Sequence, residues 1–354
     1  MKNIAVIFGG RSVEHDISIL TGLHAANHIE NARVHYVYLN RENKMYTSNR
    51  LADIDFYLNK TKSAKSCWFA DGFLCRRRAR KIKIDAVLNC CHGGVGENGE
   101  LAAYFKVASI PVTSCDYISA AILQSKSRTR EMLTAAGFKQ PKYITVNKED
   151  AEIATFPDFP VIIKPDTLGS SIGITIARTN EELRDALELV FQMDNRAIVE
   201  EFFEGITEVN CAAFRSMEKI KVSACEEVNS KREFLDYESK YLDSASGFIK
   251  KGIESQEKKD YSEIQQLTRR AYELFGASGM VRADFIIHGG KTYLNEINTV
   301  PGFLAYHLWA RAGVPYGLLI HLLLKQAIVN FDSDLSLKTV FKSEILPKNR
   351  GLVR

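Results

Sequence analysis

Val161-Ile162-Ile163-Lys164-Pro165-Asp166-Thr167-Leu168-Gly169-Ser170-Ser171-Ile172-Gly173-Ile174 runs a β-branched strand into a lysine, turns on glycine and serine, and resumes as a strand. Such a hairpin is built to cover phosphate: bare backbone N–H groups and hydroxyls meet the anion, and Lys164 supplies charge. The G-x-x-x-x-G-K order of a Walker A loop is absent. Alone, the same glycines would equally serve a plain turn that needs φ > 0. The flanking sequence breaks the tie.

Downstream, Arg282-Ala283-Asp284-Phe285 reads as one strand and Asn295-Glu296-Ile297-Asn298 as the next. Asp284, Glu296 and Asn298 offer only oxygen donors of the kind that hold Mg²⁺ beside nucleotide phosphates, and Glu296 and Asn298 share a strand face. Carboxylates on adjacent strands could simply face solvent. Their apolar neighbours Phe285-Ile286-Ile287 favour the inward reading, where two carboxylates without a cation would be costly.

Upstream, Ile4–Phe8 followed by Gly9-Gly10 and the helical spacing of Ile17, Leu20, Leu23 and Ala26 predict strand, glycine loop and helix. Val34–Leu39 and Ala86–Cys91 add apolar strands of the type buried in a parallel sheet. Ser63–Lys83 between them is less regular. Six basic residues in the eight from Arg76 to Lys83 read as a solvated hairpin rather than a polyanion patch. One helix is expected from an Asp116 cap to about Ala136, then strands Lys142–Val146 and Val161–Lys164 and a helix Asn180–Met193. Strands Ala197–Glu201, Glu208–Phe214 and Ile220–Cys225, a polar stretch Asn229–Lys251, a helix Ser262–Gly276 and strands Met280–Ile287 and Thr292–Ile297 follow. The fold class is α/β and α+β, in three domains: 1–117, 118–202 and 203–340, with 341–354 as a basic tail.

Composition sets the bounds. The 354 residues hold 47 Lys plus Arg against 43 Asp plus Glu, a net charge of +4 that is too small for a dedicated nucleic-acid binder. No apolar run approaches the roughly 20 residues needed to cross a bilayer, and the N-terminal run is too short for a secretory signal. Seven cysteines without a C-x-x-C pair read as reduced, apolar fillers. A cytoplasmic protein with no membrane or nucleic-acid partner is expected.

The motifs together resemble the D-alanine–D-alanine ligases of the ATP-grasp superfamily, from Ile4 to about Leu324. Phe8-Gly-Gly-Arg-Ser-Val-Glu14-His15-Asp-Ile-Ser18 is similar to the family's first signature and Cys91-His92-Gly-Gly-Val-Gly96-Glu97-Asn98-Gly99 to its second. Lys164–Gly173 resembles the third, Tyr237-Glu-Ser-Lys240-Tyr241 the ω-loop motif, and Arg282-x-Asp284 with Asn295–Gly302 the metal motif. The resemblance implies an ATP-grasp fold with an N-terminal Rossmann-like parallel-sheet domain.

It also implies roles. Lys126, Lys164, Ser171 and Lys240 would contact the nucleotide, Glu200, Glu201, Phe202 and Phe203 would form the hinge that reads adenine through backbone groups, and Glu208 would hold the ribose. Asp284, Glu296 and Asn298 would ligate two Mg²⁺ ions, or Mn²⁺ in their place. Glu14 would fix the first amino acid's ammonium with His92 close by. Ser170 and Tyr241 would couple the ω-loop to Glu14, and Arg282 with the Gly302 N–H would form the oxyanion site. The implied activity is ATP-dependent D-alanyl-D-alanine formation through an acyl phosphate, for peptidoglycan precursors, by a homodimer acting on small amino acids.

His307 stands where the family carries a serine that anchors the second substrate's carboxylate, and Phe303–Trp309 holds no hydroxyl other than Tyr306. Asn98 and Leu168 also depart from the family's usual residues. Two other readings therefore stand beside the first: a ligase joining an amino acid to a different amine, and a non-catalytic nucleotide-binding protein.

Overall fold

The computed structural model describes residues 1–58, 64–228, 260–343 and 345. The first unit comprises β1 (Lys2–Gly9), α1 (His15–Ala26), β2 (Ala32–Leu39), β3 (Met45–Thr47), α2 (Asp55–Leu58), β4 (Lys65–Ala70), β5 (Phe73–Arg76), β6 (Ile82–Lys83), β7 (Ala86–Asn89) and α3 (Glu100–Val107). Its sheet runs β6-β5-β4-β3-β2-β1-β7. Only β1, β2 and β7 pair in parallel; the other pairings are antiparallel, so the sheet is mixed rather than wholly parallel as the apolar runs suggested. The irregular-looking stretch supplies three of those strands. Its signal was Asp71-Gly72, which turns β4 into β5 with φ of 53° and 85°, the two positive values a two-residue hairpin turn requires. The basic run lies in and around the turn between β5 and β6, where residues 77–81 are exposed.

The central unit comprises α4 (Tyr117–Gln124), α5 (Lys126–Ala135), β8 (Tyr143–Asn147), β9 (Val161–Pro165), β10 (Thr175–Ala177), α6 (Asn180–Val190) and β11 (Arg196–Glu201). Its antiparallel sheet runs β10-β9-β11-β8. Asp116 does cap α4, but the expected single helix breaks at Ser125, whose ψ is 112° and whose hydroxyl accepts from the Arg128 N–H. A serine that satisfies a free helix N–H starts a new helix more readily than it continues an old one. The break frees Lys126 to lie at the head of α5.

The last unit comprises β12 (Thr207–Ser216), β13 (Lys219–Val228), α7 (Ser262–Leu274), β14 (Val281–His288), β15 (Lys291–Asn298), α8 (Tyr306–Arg311) and α9 (Tyr316–Ser336). Its sheet runs β13-β12-β14-β15, antiparallel throughout. Alternation divides the two faces. Val209, Cys211, Ala213, Val281, Ala283 and Phe285 pack in a core with Ile264 and Tyr272 of α7, leaving the opposite face for polar groups. Leu319, Ile320 and Leu323 of α9 share a core with Ile4, Val6 and Leu88 of the first sheet, which joins the outer units. Among the described residues no single helix is long and apolar enough to cross a membrane.

Candidate functional site

The polar face of the third sheet assembles the downstream motif. Cross-strand pairing aligns Glu296, Asp284, Asn210 and Glu226 in one row and Asn298, Arg282 and Ala212 in the next. Arg282 clasps Asp284 with two hydrogen bonds of 2.7 Å, and Asn298 Nδ2 donates to Asp284 Oδ2 at 2.9 Å. The Arg282 and Asp284 side chains keep 21% and 16% of their surface exposed, so the face is open to a ligand. A bulge between Asp284 and Phe285 leaves Asn295 outside the pairing. Its Oδ1 lies 3.3 Å from both Lys164 Nζ and Arg130 Nη2, a contact that strand alternation alone would not predict.

Those two cations belong to a buried cluster. Glu200 accepts from Arg130 Nε and Lys164 Nζ, both at 2.5 Å, and its side chain is 2% exposed. Burial pushes the Glu200 carboxyl upward, but the two cations outweigh it and hold the group at about 2. Arg130 also donates to Gln140 Oε1 and to the Leu294 carbonyl, tying α5 to the third sheet. Lys164, expected on a nucleotide phosphate, thus has Glu200 and Asn295 as its partners. Glu200, expected to act through its backbone, commits its side chain. Arg130 was missed in the sequence, although its place four residues after Lys126 puts both cations on one helix face.

Lys126 is set by Asp166, whose carbonyl accepts the Lys126 N–H and whose carboxylate accepts from Ser125 Oγ and the Ser127 N–H. The Lys126 ammonium donates to the Leu168 carbonyl, and burial lowers its pKa while Glu296 opposes that shift. Leu168 and Gly169 lie against Lys126, Glu296 and Asn298, leaving about 40 Å³ between them. In this loop Ser170 and Ser171 have φ of 57° and 58° and Gly173 has 71°, while Gly169 does not require a positive φ; the left-handed backbone expected of the glycines is met at Gly173 and falls otherwise on the serines.

At the hinge, the Glu201 N–H donates to the Lys142 carbonyl and the Phe202 N–H to the Pro160 carbonyl, so these two backbone donors are already engaged. Phe203 stacks on His288 at 4.6 Å and meets Tyr293 at 4.9 Å. Glu208 lies two residues before Asn210 on the polar face of β12.

The first signature places Glu14 immediately before α1, with Ser18 Oγ accepting from the Gly9 N–H and donating to the Cys90 carbonyl. A Cβ on Gly93 would lie 2.4 Å from Ser12 Oγ and 3.0 Å from Glu14 Oε2, and its φ is 65°, so only glycine lets the second signature approach the first. His92 Nδ1 lies 2.6 Å from the Val300 carbonyl, which can only accept, so Nδ1 carries the proton. Nε2 then accepts from Thr21 Oγ1 at 2.7 Å, and Thr21 Oγ1 in turn accepts the Phe303 N–H. Burial lowers the His92 pKa, with Glu14 opposing, in keeping with a neutral ring. His92 therefore fixes the loop around Gly302. Glu97 is pushed well above the carboxylate range by burial and Glu14.

After Gly302, Phe303, Leu304 and Ala305 adopt φ of 47°, 54° and 51° in succession. Left-handed turns cost L-residues about 1–2 kcal/mol each, so tertiary packing must hold this one: all three side chains are buried. The turn starts α8 at Tyr306, where His307 is 5% exposed and pairs with Glu226, as does Arg311. His307 was expected to meet a substrate carboxylate; here it meets one of the protein's own. Lys240 and Tyr241 lie outside the described residues, as do Asn229–Lys251.

Among the described residues no three His, Cys, Asp or Glu side chains gather into one metal site. The donor set is instead two carboxylates and an amide, all hard oxygen ligands on adjacent strands, which fits a magnesium-like ion. Both Asp284 oxygens now face Arg282, so a cation there would share them.

Three sheets, with the central antiparallel one closing over the polar face of the third, define an ATP-grasp ligase. Residues 3–115 match the D-ala D-ala ligase N-terminus and residues 132–326 the D-ala D-ala ligase C-terminus. A D-alanine–D-alanine ligase of Bacillus pumilus is 30% identical over 96% of this chain and 99% of its own length. The D-alanine–D-alanine ligase of Coxiella burnetii superposes with a TM-score of 0.80 at 25% identity, covering 95% of this chain and 97% of that one. The VanG D-Ala:D-Ser ligase of Enterococcus faecalis gives 0.77 at 26% identity over 92% and 99%. The chain belongs to the D-alanine–D-alanine ligase family, ATP-dependent ligases that act on small amino acids.

Proposed function

We propose that this protein joins two D-alanines with ATP, supplying a dipeptide for peptidoglycan precursors in the cytoplasm. The observation that carries this reading is the half-buried row Glu296–Asp284 with Arg282 and Asn298, in which Glu296 and Asn298 lie beside Lys126, Leu168 and Gly169. A carboxylate repels an amine, so one oxygen of the first substrate takes the γ-phosphoryl group of ATP and ADP leaves. The amine of the second substrate then attacks the carbonyl carbon, the bond to the phosphate oxygen breaks, and phosphate and a proton depart. Arg282 and the Gly302 N–H are suited to the charge that gathers on the carbonyl oxygen. Glu14 would hold an ammonium, and His92, through Val300 and Thr21, would keep Gly302 in register. Mg²⁺, held by Asp284, Glu296 and Asn298, would neutralise phosphoryl oxygens.

The domain limits 1–117, 118–202 and 203–340 belong to this reading, as do roles for Ser170, Lys240 and Tyr241 in closing the site. So does a homodimer: Val107 of α3 and Tyr117 and Ile118 of α4 are exposed apolar side chains on consecutive helices. A D-Ala:D-Ser ligase among the structural relatives, with His307 engaged by Glu226, favours a second reading in which another amine is the acceptor. Incubation with ATP, Mg²⁺ and D-alanine should release phosphate and D-alanyl-D-alanine in equal amounts. Phosphate release that requires a different amine would replace the first reading with the second.

A further inference from the structure

The polar row that begins with Glu296 and Asp284 continues through Asn210 and ends at Glu226 on β13. Two strand spacings separate Glu226 from Asp284, about 10 Å, on the same row of one sheet. Here Glu226 Oε2 lies 3.0 Å from His307 Nε2 and Glu226 Oε1 lies 3.1 Å from Arg311 Nη2. The carboxylate can only accept, so both nitrogens donate. His307 and Arg311 stand four residues apart on α8, on one helix face, and reach different oxygens of one carboxylate. The left-handed turn at 303–305 aims both, directly after Gly302.

We propose that Glu226 is a specificity-determining residue for the second substrate. His307 and Arg311 form a receptor for a carboxylate, and Glu226 fills it. An amino acid whose carboxylate reaches these donors must displace the protein's own, because two carboxylates at one pair of donors repel each other. The exchange needs only a side-chain movement on β13, an edge strand of its sheet. The class selected is a small amino acid entering carboxylate first, at an affinity lowered by the competitor. This rests on the ligase reading above.

The test uses the full-length protein. Glu226→Gln removes the competing charge and keeps the shape. Its KM for the second D-alanine should fall about tenfold, with kcat and the KM for the first D-alanine unchanged, since a charged hydrogen bond lost to a competitor is of that order. An unchanged or raised KM makes Glu226 a brace for His307 and overturns the proposal. Acetate serves as a probe that needs no turnover: it should raise the melting temperature of Glu226→Gln and Glu226→Ala but not of the wild type. If no form makes dipeptide yet acetate stabilises the variants alone, the substrate reading fails and the receptor stands. No acetate effect on either variant removes the receptor.

Discussion

Two clusters of carboxylate and cation lie on either side of the candidate nucleotide cleft, and they differ mainly in burial. Around Glu200, Arg130 and Lys164 close on a side chain that is 2% exposed, with Asn295, Gln140 and a backbone carbonyl completing their bonds. Around Asp284, Arg282 and Asn298 make a similar set of bonds on a face that keeps its side chains partly open. The first cluster is enclosed, so its charges answer to one another. The second leaves lone pairs and surface for something else, and its neighbours Glu14 and Glu296 add negative charge there, enough to help keep the buried Glu97 carboxyl protonated. Similar chemistry thus serves as a joint between units in one place and as a candidate ligand site in the other.

The sharpest way to break this contrast is Glu200→Gln. It would strand two buried cations, and urea unfolding at pH 7 should show a loss of about 3–5 kcal/mol. Because Glu200 sits at about 2 rather than its ordinary 4.5, the stability it contributes is complete above pH 4.5 and is lost as pH falls toward 2. The gap between wild type and variant should therefore narrow between pH 5 and pH 3; a constant gap would mean the carboxylate is not clamped as charge. Glu296→Gln tests the open cluster. Stability should stay within about 1 kcal/mol of wild type, while ATP-dependent phosphate release with D-alanine falls at least about 100-fold, near 3 kcal/mol of barrier. Full activity there would remove Glu296 from the site. The smallest effect concerns His92, whose lowered pKa means the unfolded chain takes up its proton first. Its stability contribution is whole above pH 6.5 and declines below it, by at most about 1.4 kcal/mol per pH unit, and His92→Gln should lose that limb in melts between pH 7 and 5.5.

Much of the frame was readable along the chain because strands and caps are local. Ile4–Phe8, Val161–Lys164 and the Asp116 cap of α4 each follow from residues within a few positions. The motif residues Asp284, Glu296 and Asn298 also meet on one face, because pairing of adjacent strands preserves a period of two. The break at Ser125 was hidden by the apolar spacing on both sides of it. Arg130, Asn295, Glu226 and Arg311 were not singled out at all: each is an ordinary charged or polar residue until a partner far along the chain meets it. Asn295 needs a bulge, and Glu226 needs α8 to be laid across β13.

What the amino-acid order determined by itself was the set of strands, the lysine-bearing hairpin and the pairing of carboxylates with a neighbouring arginine, all of which depend on short-range sterics and alternation. The tertiary structure decided which of these charges are sealed and which remain available. It also decided that Phe303–Ala305 turn left-handed and that residue 307 faces a glutamate. Burial and dielectric are properties of the surroundings, and the surroundings come from residues far apart in the chain: His92 and Val300, 208 positions apart, share a hydrogen bond, and Lys164 reaches Asn295.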